Sequence, residues 1–400
     1  MSSLRILHVI RAPVGGLFRH VRDLAIEQSA RGYEVGLLAD ENCRDGLTAE
    51  RLLTLEPQLG LGVHLAPMSR NPGFMDFSAV YRVKGLVEDL GIHVVHGHGA
   101  KGGAYARLGG TLAGGPPGSI RPGRFYTPHG GSLHYRNSPV RGGLYRSAEK
   151  VLGAMTDGIL FESEFAAAAY HDAVRPDATI RTRVVSNGLS AHEFDDISIN
   201  NDATDFLFIG ELRHLKGVDL LLNALANINS NRSGSVRPVG ATIVGDGPDA
   251  KTFHAQAETL GLSRLVRFTG AMPAPQAFPL GRCVVMPSRA ESLPYIALEA
   301  AAAARPLIAT DVGGVPEIVR GADTELVRPD DAAALSDAMS GYLSNEGLAQ
   351  RRALTLRRAV AERFSLKEMT GGIEDFYFDV LGGQSTLEPA RPSLAIRAVG

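Results

Sequence analysis

Residues 284–319, VVMPSRAESLPYIALEAAAAARPLIATDVGGVPEIV, constrain the fold more than any other stretch. The apolar run Val284-Val285-Met286 predicts a strand, and Pro-Ser-Arg-Ala with Glu291 predicts a loop. Pro294 suits a first helical turn, where its missing N–H costs nothing. The helix then passes through Glu299 and an alanine track and stops before Pro306. Leu307-Ile308-Ala309-Thr310 predicts a second strand, leading into Gly313-Gly314 and a new helix at Pro316-Glu317. Strand–loop–helix therefore occurs twice in succession, the signature of a parallel α/β sheet. The carboxyl edge of such a sheet is where phosphorylated ligands bind. Glu291 lies in the loop and Glu299 one to two turns inside the helix, where a carboxylate can accept hydrogen bonds from two adjacent hydroxyls.

The pair Glu291-x7-Glu299 followed by Gly313-Gly314-Val315-Pro316-Glu317 resembles the retaining glycosyltransferases of family 4. The resemblance implies an α/β chain with two Rossmann-like domains facing across a cleft, the GT-B fold. It implies that Glu299 holds the ribose of a sugar nucleotide. Glu291 and the backbone N–H groups after it, at Ser292 and Leu293, would face the sugar and diphosphate. Two departures stand out. Ser292-Leu293-Pro294 replaces the glycine-containing run common in the family, and Ala304 stands where a helix-ending glycine is common. A left-handed alanine at that place costs about 1 kcal/mol relative to glycine.

The N-terminal half opens the same way. Leu4–Ile10 reads as a strand, Arg11–Phe18 as a glycine-containing loop, Arg19–Arg31 as an amphipathic helix and Glu34–Ala39 as a strand. Gly15 and Gly16 sit where the family places a glycine pair against donor phosphate. Gly97-His98-Gly99-Ala100-Lys101-Gly102 is formally G-x-G-x-x-G after a strand. The acidic residue a dinucleotide site wants is absent from Pro128-His129-Gly130-Gly131, so these glycines are read as tight helix–sheet packing. His96 and His98, two apart on a strand, share one side but lack further metal ligands nearby in sequence. His129 falls at the end of a strand, and the resemblance has it hydrogen-bonding to the sugar or acceptor.

In the second half, Phe206–Gly210 predicts a strand and Glu211–Gly217 a loop. Arg213 and Lys216 in that loop are expected to neutralise a leaving diphosphate. The family usually shows arginine directly after the glycine, where this chain has Glu211. The expected domains are 1–194, a polar linker 195–205, and 206–364. A last helix at 365–381 would cross back to the first domain, and a mobile tail would occupy 382–400.

Composition narrows the function. Net charge is −2, which excludes bulk electrostatic binding of nucleic acid. Two cysteines without metal spacing, Cys43 and Cys283, and no apolar stretch near 18 residues predict a reduced, cytoplasmic protein without a membrane span. No signal peptide is read, because Ile6–Ile10 contains His8 and is cut by Arg11. No Asp-x-Asp pair is present, and neither metal nor cofactor is expected. From Lys101 to Lys150 there are eight basic residues and one acid, Glu149. Arg136, Arg141 and Arg146 in that window are the expected patch for an anionic membrane surface or a lipid-linked acceptor. The expected activity is retaining hexosyl transfer from a nucleoside-diphosphate sugar to a hydroxyl acceptor, in cell-surface polysaccharide or glycolipid assembly. A sugar-nucleotide epimerase, a phosphorylase and a non-catalytic sugar-nucleotide-binding protein remain alternatives.

Overall fold

The structure is a computed structural model describing residues 3–42, 46–69, 73, 75–113, 121–130, 139–232 and 237–382. The chain divides into two compact units, Met1–Ser186 together with the stretch from Leu366, and Asn187–Ser365. The first unit contains β1 (Arg5–Ile10), α1 (Gly15–Ala30), β2 (Glu34–Asp40), α2 (Gly46–Leu55), β3 (Val63–Ala66), α3 (Met75–Leu90) and β4 (Val94–His98). It continues with α4 (Gly99–Leu112), β5 (Gly123–Thr127), α5 (Pro139–Gly153), β6 (Gly158–Phe161), α6 (Glu164–Val174) and β7 (Arg181–Val184). The second unit contains β8 (Thr204–Ile209), α7 (Val218–Ser230), β9 (Ala241–Val244), α8 (Ala250–Thr259), β10 (Val266–Gly270), α9 (Ala274–Ala277) and β11 (Gly281–Met286). It ends with α10 (Tyr295–Ala302), β12 (Leu307–Thr310), α11 (Val315–Val319), β13 (Leu326–Val327), α12 (Ala332–Ser344) and α13 (Glu346–Arg363), and α14 (Leu366–Leu381) returns to the first.

Each unit is a parallel sheet in Rossmann order: β3-β2-β1-β4-β5-β6-β7 in the first and β10-β9-β8-β11-β12-β13 in the second. The order reverses direction between β1 and β4, and again between β8 and β11. These are the two places where such sheets leave a crevice at their carboxyl edge. Helices cover both faces of a parallel sheet, so its strands read as nearly unbroken apolar runs. β1 (RILHVI) and β11 (GRCVVM) are of this kind. A histidine in the middle of β1 is the exception, and it is fully buried.

The unit boundary falls before the expected one. Residues 187–194 belong to the second unit: Leu189 bridges to Ser365, and the Asn187 side chain donates to Leu293 O. The expected linker 195–205 therefore runs within that unit, and β8 already starts at Thr204. Helix α1 starts at Gly15 rather than Arg19, so Gly15 and Gly16 form its first turn instead of a preceding loop. Most of the expected tail, residues 383–400, lies outside the described residues, as does Cys43. The G-x-G-x-x-G glycines seat α4 against the sheet. A Cβ on Gly97 would meet the backbone of Gly102 and Gly103, and one on Gly102 would meet Val9 O.

Candidate active site

In the second unit the loops that follow β8, β11 and β12 interlock at the carboxyl edge. The loop after β8 closes in a 3₁₀ turn, His214–Lys216, ending at Gly217 with φ +70°. Arg289 N–H donates to Leu215 O at 2.8 Å, joining this turn to the loop after β11. Thr310 Oγ1, at the end of β12, donates to Ser288 O at 2.6 Å, and Gly314 N–H donates to Ser292 O at 2.6 Å. Gly313, at φ +59°, faces the Glu291 carbonyl so closely that any Cβ would run into it. A side chain there would force the Glu291 loop outward, which explains glycine at this position.

This frame brings Lys216 and Glu291, 75 residues apart in sequence, into an ion pair. Lys216 Nζ lies 2.7 Å from Glu291 Oε1, which also accepts from Ser288 Oγ at 2.7 Å. The Glu291 side chain is 8% exposed and that of Lys216 28%, so the ammonium retains an open side. Behind them Arg289 clamps Asp219 through two bonds of 2.8 and 2.7 Å. Burial alone would raise the Asp219 carboxyl, but the arginine outweighs it and holds the group below the usual carboxylate range. Arg289, Asp219 and Ser288 were not singled out in the sequence, because nothing local marks a supporting pair 70 residues apart. Ser292 and Leu293 follow Glu291 in the same loop, and Pro294 is the N-cap of α10 rather than its first residue. Glu299 sits half-buried on α10 about one turn on.

Arg213 does not join this group. It caps the 3₁₀ turn, is about half exposed, and its guanidinium lies 3.5 Å from Glu211. The 3₁₀ turn that runs from His214 to Lys216 sends the two cations to different partners.

In the first unit a cluster of histidines sits on β1 and β4, on α1 and after β5. His8 on β1 is the register partner of His96 on β4, and His98 lies two residues on. His8 Nδ1 lies 3.0 Å from His98 Nε2, and His98 Nδ1 lies 3.0 Å from His129 Nε2. His8 Nε2 meets Gln28 Oε1 of α1 at 2.9 Å. His96 spans Tyr377 Oη of α14 at 2.6 Å and Thr127 Oγ1 at 2.8 Å. His20 of α1 packs edge-on against His129, with ring centroids 4.8 Å apart. Burial holds the rings neutral. It lowers His8 to about 4 against the Gln28 acceptor, and lowers His96, His98 and His129 well below the ordinary histidine value. His129 also adopts φ +49°, an uncommon conformation for a histidine. Nitrogens of His8, His96 and His98, and of His20, His98 and His129, lie within 4.8 Å of one another in each triad. The further ligands that the sequence did not place near His96 and His98 thus come from β1, α1 and the end of β5. Gly15, at φ +65°, has open space where a Cβ would stand, so its backbone can be approached closely.

The basic window is weaker than its sequence count. Arg107 is buried and paired with Glu149. Asp76 and Asp157, from outside the window, pair with Lys101 and Arg124. Arg136 and the side chain of Arg141 lie outside the described residues, and Arg146, on α5, is partly exposed.

Two family models match the chain: a glycosyl transferase 4-like domain over residues 15–188, and glycosyl transferases group 1 over residues 191–357. The chain belongs to the group 1 glycosyltransferases. It is 28% identical over 215 residues to a glycogen synthase of Mycobacterium tuberculosis, covering 52% of this chain and 51% of that protein. The alignment therefore spans about half the length of that relative. It is 27% identical to a D-inositol 3-phosphate glycosyltransferase of Acidothermus cellulolyticus, covering 94% of this chain and 88% of that protein. Among solved structures, a sucrose-phosphate synthase from Thermosynechococcus elongatus superposes with a TM-score of 0.78 at 18% identity, covering 96% of this chain and all of that one. Anabaena Alr3699/HepE in complex with UDP-glucose gives 0.75 at 17% identity, covering 94% of this chain and all of that one. At such identities the superpositions establish the fold, two Rossmann-like domains of the GT-B class.

Proposed function

We propose that this group 1 glycosyltransferase moves a hexosyl unit from a nucleoside-diphosphate sugar to a hydroxyl, with retention at the anomeric carbon. The reading rests on the Lys216–Glu291 pair at the point where the second sheet reverses its strand order. An ammonium with one open side is suited to take up charge as the diphosphate departs, while the carboxylate holds it in place until then. Glu299 accepts two ribose hydroxyls. The N–H groups of Ser292 and Leu293 face the sugar and diphosphate, and Gly15 and Gly16 present backbone N–H groups to donor phosphate. His129 hydrogen-bonds a sugar or acceptor hydroxyl. Arg213 is left with a minor, screening role.

The relatives' printed names include a D-inositol 3-phosphate glycosyltransferase, a glycogen synthase and an O-antigen chain mannosyltransferase, and this range supports a saccharide or other polyhydroxyl acceptor. No described helix is long and apolar enough to cross a membrane. Access to a lipid-linked acceptor would then come through reversible attachment at the cytoplasmic face, with Arg136, Arg141 and Arg146 as the basic patch. No metal or cofactor is assigned to the reaction. The test is release of free nucleoside diphosphate, first with acceptor and then without. Release that requires the acceptor, and that falls in Lys216→Ala at saturating donor with the donor KM little changed, supports the reading. Tight nucleotide binding without any turnover would instead leave a sugar-nucleotide-binding protein.

A further inference from the structure

We infer that Gln28, His8 and His98 form a one-way hydrogen-bond relay that fixes His129 as its Nε2–H tautomer, with Nδ1 as the acceptor toward a substrate hydroxyl. The logic is proton counting. A neutral imidazole has one donor and one acceptor nitrogen, and an N···N contact needs one proton, no more and no fewer. Gln28 Oε1 can only accept, so His8 carries its proton on Nε2. His8 Nδ1 is then bare and accepts from His98 Nε2–H across 3.0 Å. His98 Nδ1 is bare in turn and accepts from His129 Nε2–H, also at 3.0 Å. Each ring's choice is dictated by the ring before it, and the origin of the sequence is an amide on α1. Burial of His8, His98 and His129 removes the protonated form that would break the count. The same donor set explains why three clustered imidazoles do not require an ion between them: every contact along the relay is already satisfied by a proton.

Gln28, His8 and His98 are therefore positioning residues for His129. The role for the substrate hydroxyl rests on the function proposed above; the tautomer itself does not. Tautomers are read in the full chain with 15N-labelled histidine by long-range 1H–15N correlation, with chelator present and absent. In the wild type, His8, His98 and His129 are expected to show protonated Nε2 and bare Nδ1. Gln28→Met removes the origin while touching neither His98 nor His129. It should mix the tautomers of all three rings and lower kcat about fivefold, the scale of one lost hydrogen bond. Gln28→Glu keeps an acceptor and should restore the single register. A wild-type His129 protonated on Nδ1 would overturn the relay, as would an unchanged His129 spectrum in Gln28→Met or a chelator-sensitive ion bound to these rings. The wild-type spectrum decides the question even if a variant fails to fold. Mixed tautomers in Gln28→Met with kcat unchanged would uphold the relay and refute the catalytic use of His129.

Discussion

Lowering the pH from 7.5 to 5.5 should destabilise the first unit by about 4 kcal/mol while the second holds. His8, His96, His98 and His129 have values depressed by burial from 6.5, so the stability they contribute is full above 6.5 and is lost as the pH falls. Below 6.5 the unfolded chain binds four protons that the folded unit does not. One group opposes them. Burial raises Glu374 to about 7, against the pull of Arg31, so the folded unit holds a proton there that the unfolded chain releases above 4.5. The balance approaches four histidine protons against one carboxyl proton, a net three, between about pH 5.5 and 5. At ~1.4 kcal/mol per proton per pH unit, the first unit loses about 4 kcal/mol per pH unit in that window. Half-buried His64 and His93, also depressed by burial, act in the same direction. Domains have only about 5–15 kcal/mol in hand, so this loss removes a large share of the unit's stability. The assay is hydrogen exchange by mass spectrometry at pH 7.5, 6.5 and 5.5, corrected for intrinsic rates, with urea titrations alongside. Protection should fall in β1, β4, α1 and α14 and persist in β8 and β11. Glu374→Gln removes the opposing proton and should steepen the loss by about 1 kcal/mol per pH unit. Equal loss in both units, or no loss between 6.5 and 5.5, would refute the proton count.

Three further outcomes are expected. Glu299→Ala should weaken nucleoside-diphosphate binding by about 1.5–3 kcal/mol, as for hydrogen bonds to a charged group; calorimetry on the folded variant checks it, and unchanged affinity would remove Glu299 from the site. Ala304→Gly should raise the stability of the second unit by about 0.5–1 kcal/mol, because Ala304 sits at φ +52° in a Schellman end, with Arg305 N–H bonded to Ala300 O and Ala304 N–H to Ala301 O; a rise of about 2 °C in the melting of that unit is the readout. Vesicle cosedimentation should show salt-sensitive binding to anionic but not neutral lipid, reduced by charge reversal at Arg136, Arg141 and Arg146; equal partitioning to both vesicles would count against an electrostatic attachment.

Many of the strands themselves were legible because buried parallel strands leave unbroken apolar runs, as at Leu4–Ile10, Phe206–Gly210 and Val284–Met286. Local chemistry was legible too. Ala304 stands where the resemblance has a helix-ending glycine and takes the left-handed conformation despite its cost, and the packing role of Gly97 and Gly102 was read from the missing acid after the next strand. What could not be read was pairing across the sheet. His8 is a lone polar residue inside an apolar strand, and its partners His98 and Gln28 lie 90 and 20 residues away. Arg213 was expected beside Lys216 because the two are near in sequence, but a 3₁₀ turn separates their directions. The basic window counted charges along the chain, whereas Asp76 and Asp157 reach it through space. Gly15 and Gly16 were placed before the helix because glycine is a poor helix former, and the first turn tolerates it.

Helix α14 closes the core of the first unit from the far end of the chain. Met369, Ile373, Phe376, Tyr377 and Leu381 pack with residues of β1, β2 and α1, and Tyr377 holds His96. The first unit is thus interrupted by the whole of the second. During synthesis the β1–β7 sheet leaves the ribosome without its closing helix and waits while residues 187–365 are made. At about 5–20 residues per second that interval is on the order of 10–40 s. The later-made unit can finish folding first, and the earlier one spends this time with the seat of Tyr377 uncovered. A nascent chain stalled near residue 365 would be a natural chaperone client. A fragment ending at Ser186 would lack a wall of its own core, so the first unit cannot be prepared alone by cutting at the visible boundary. Joining 366–382 to residue 186 through a short linker is the version that should fold.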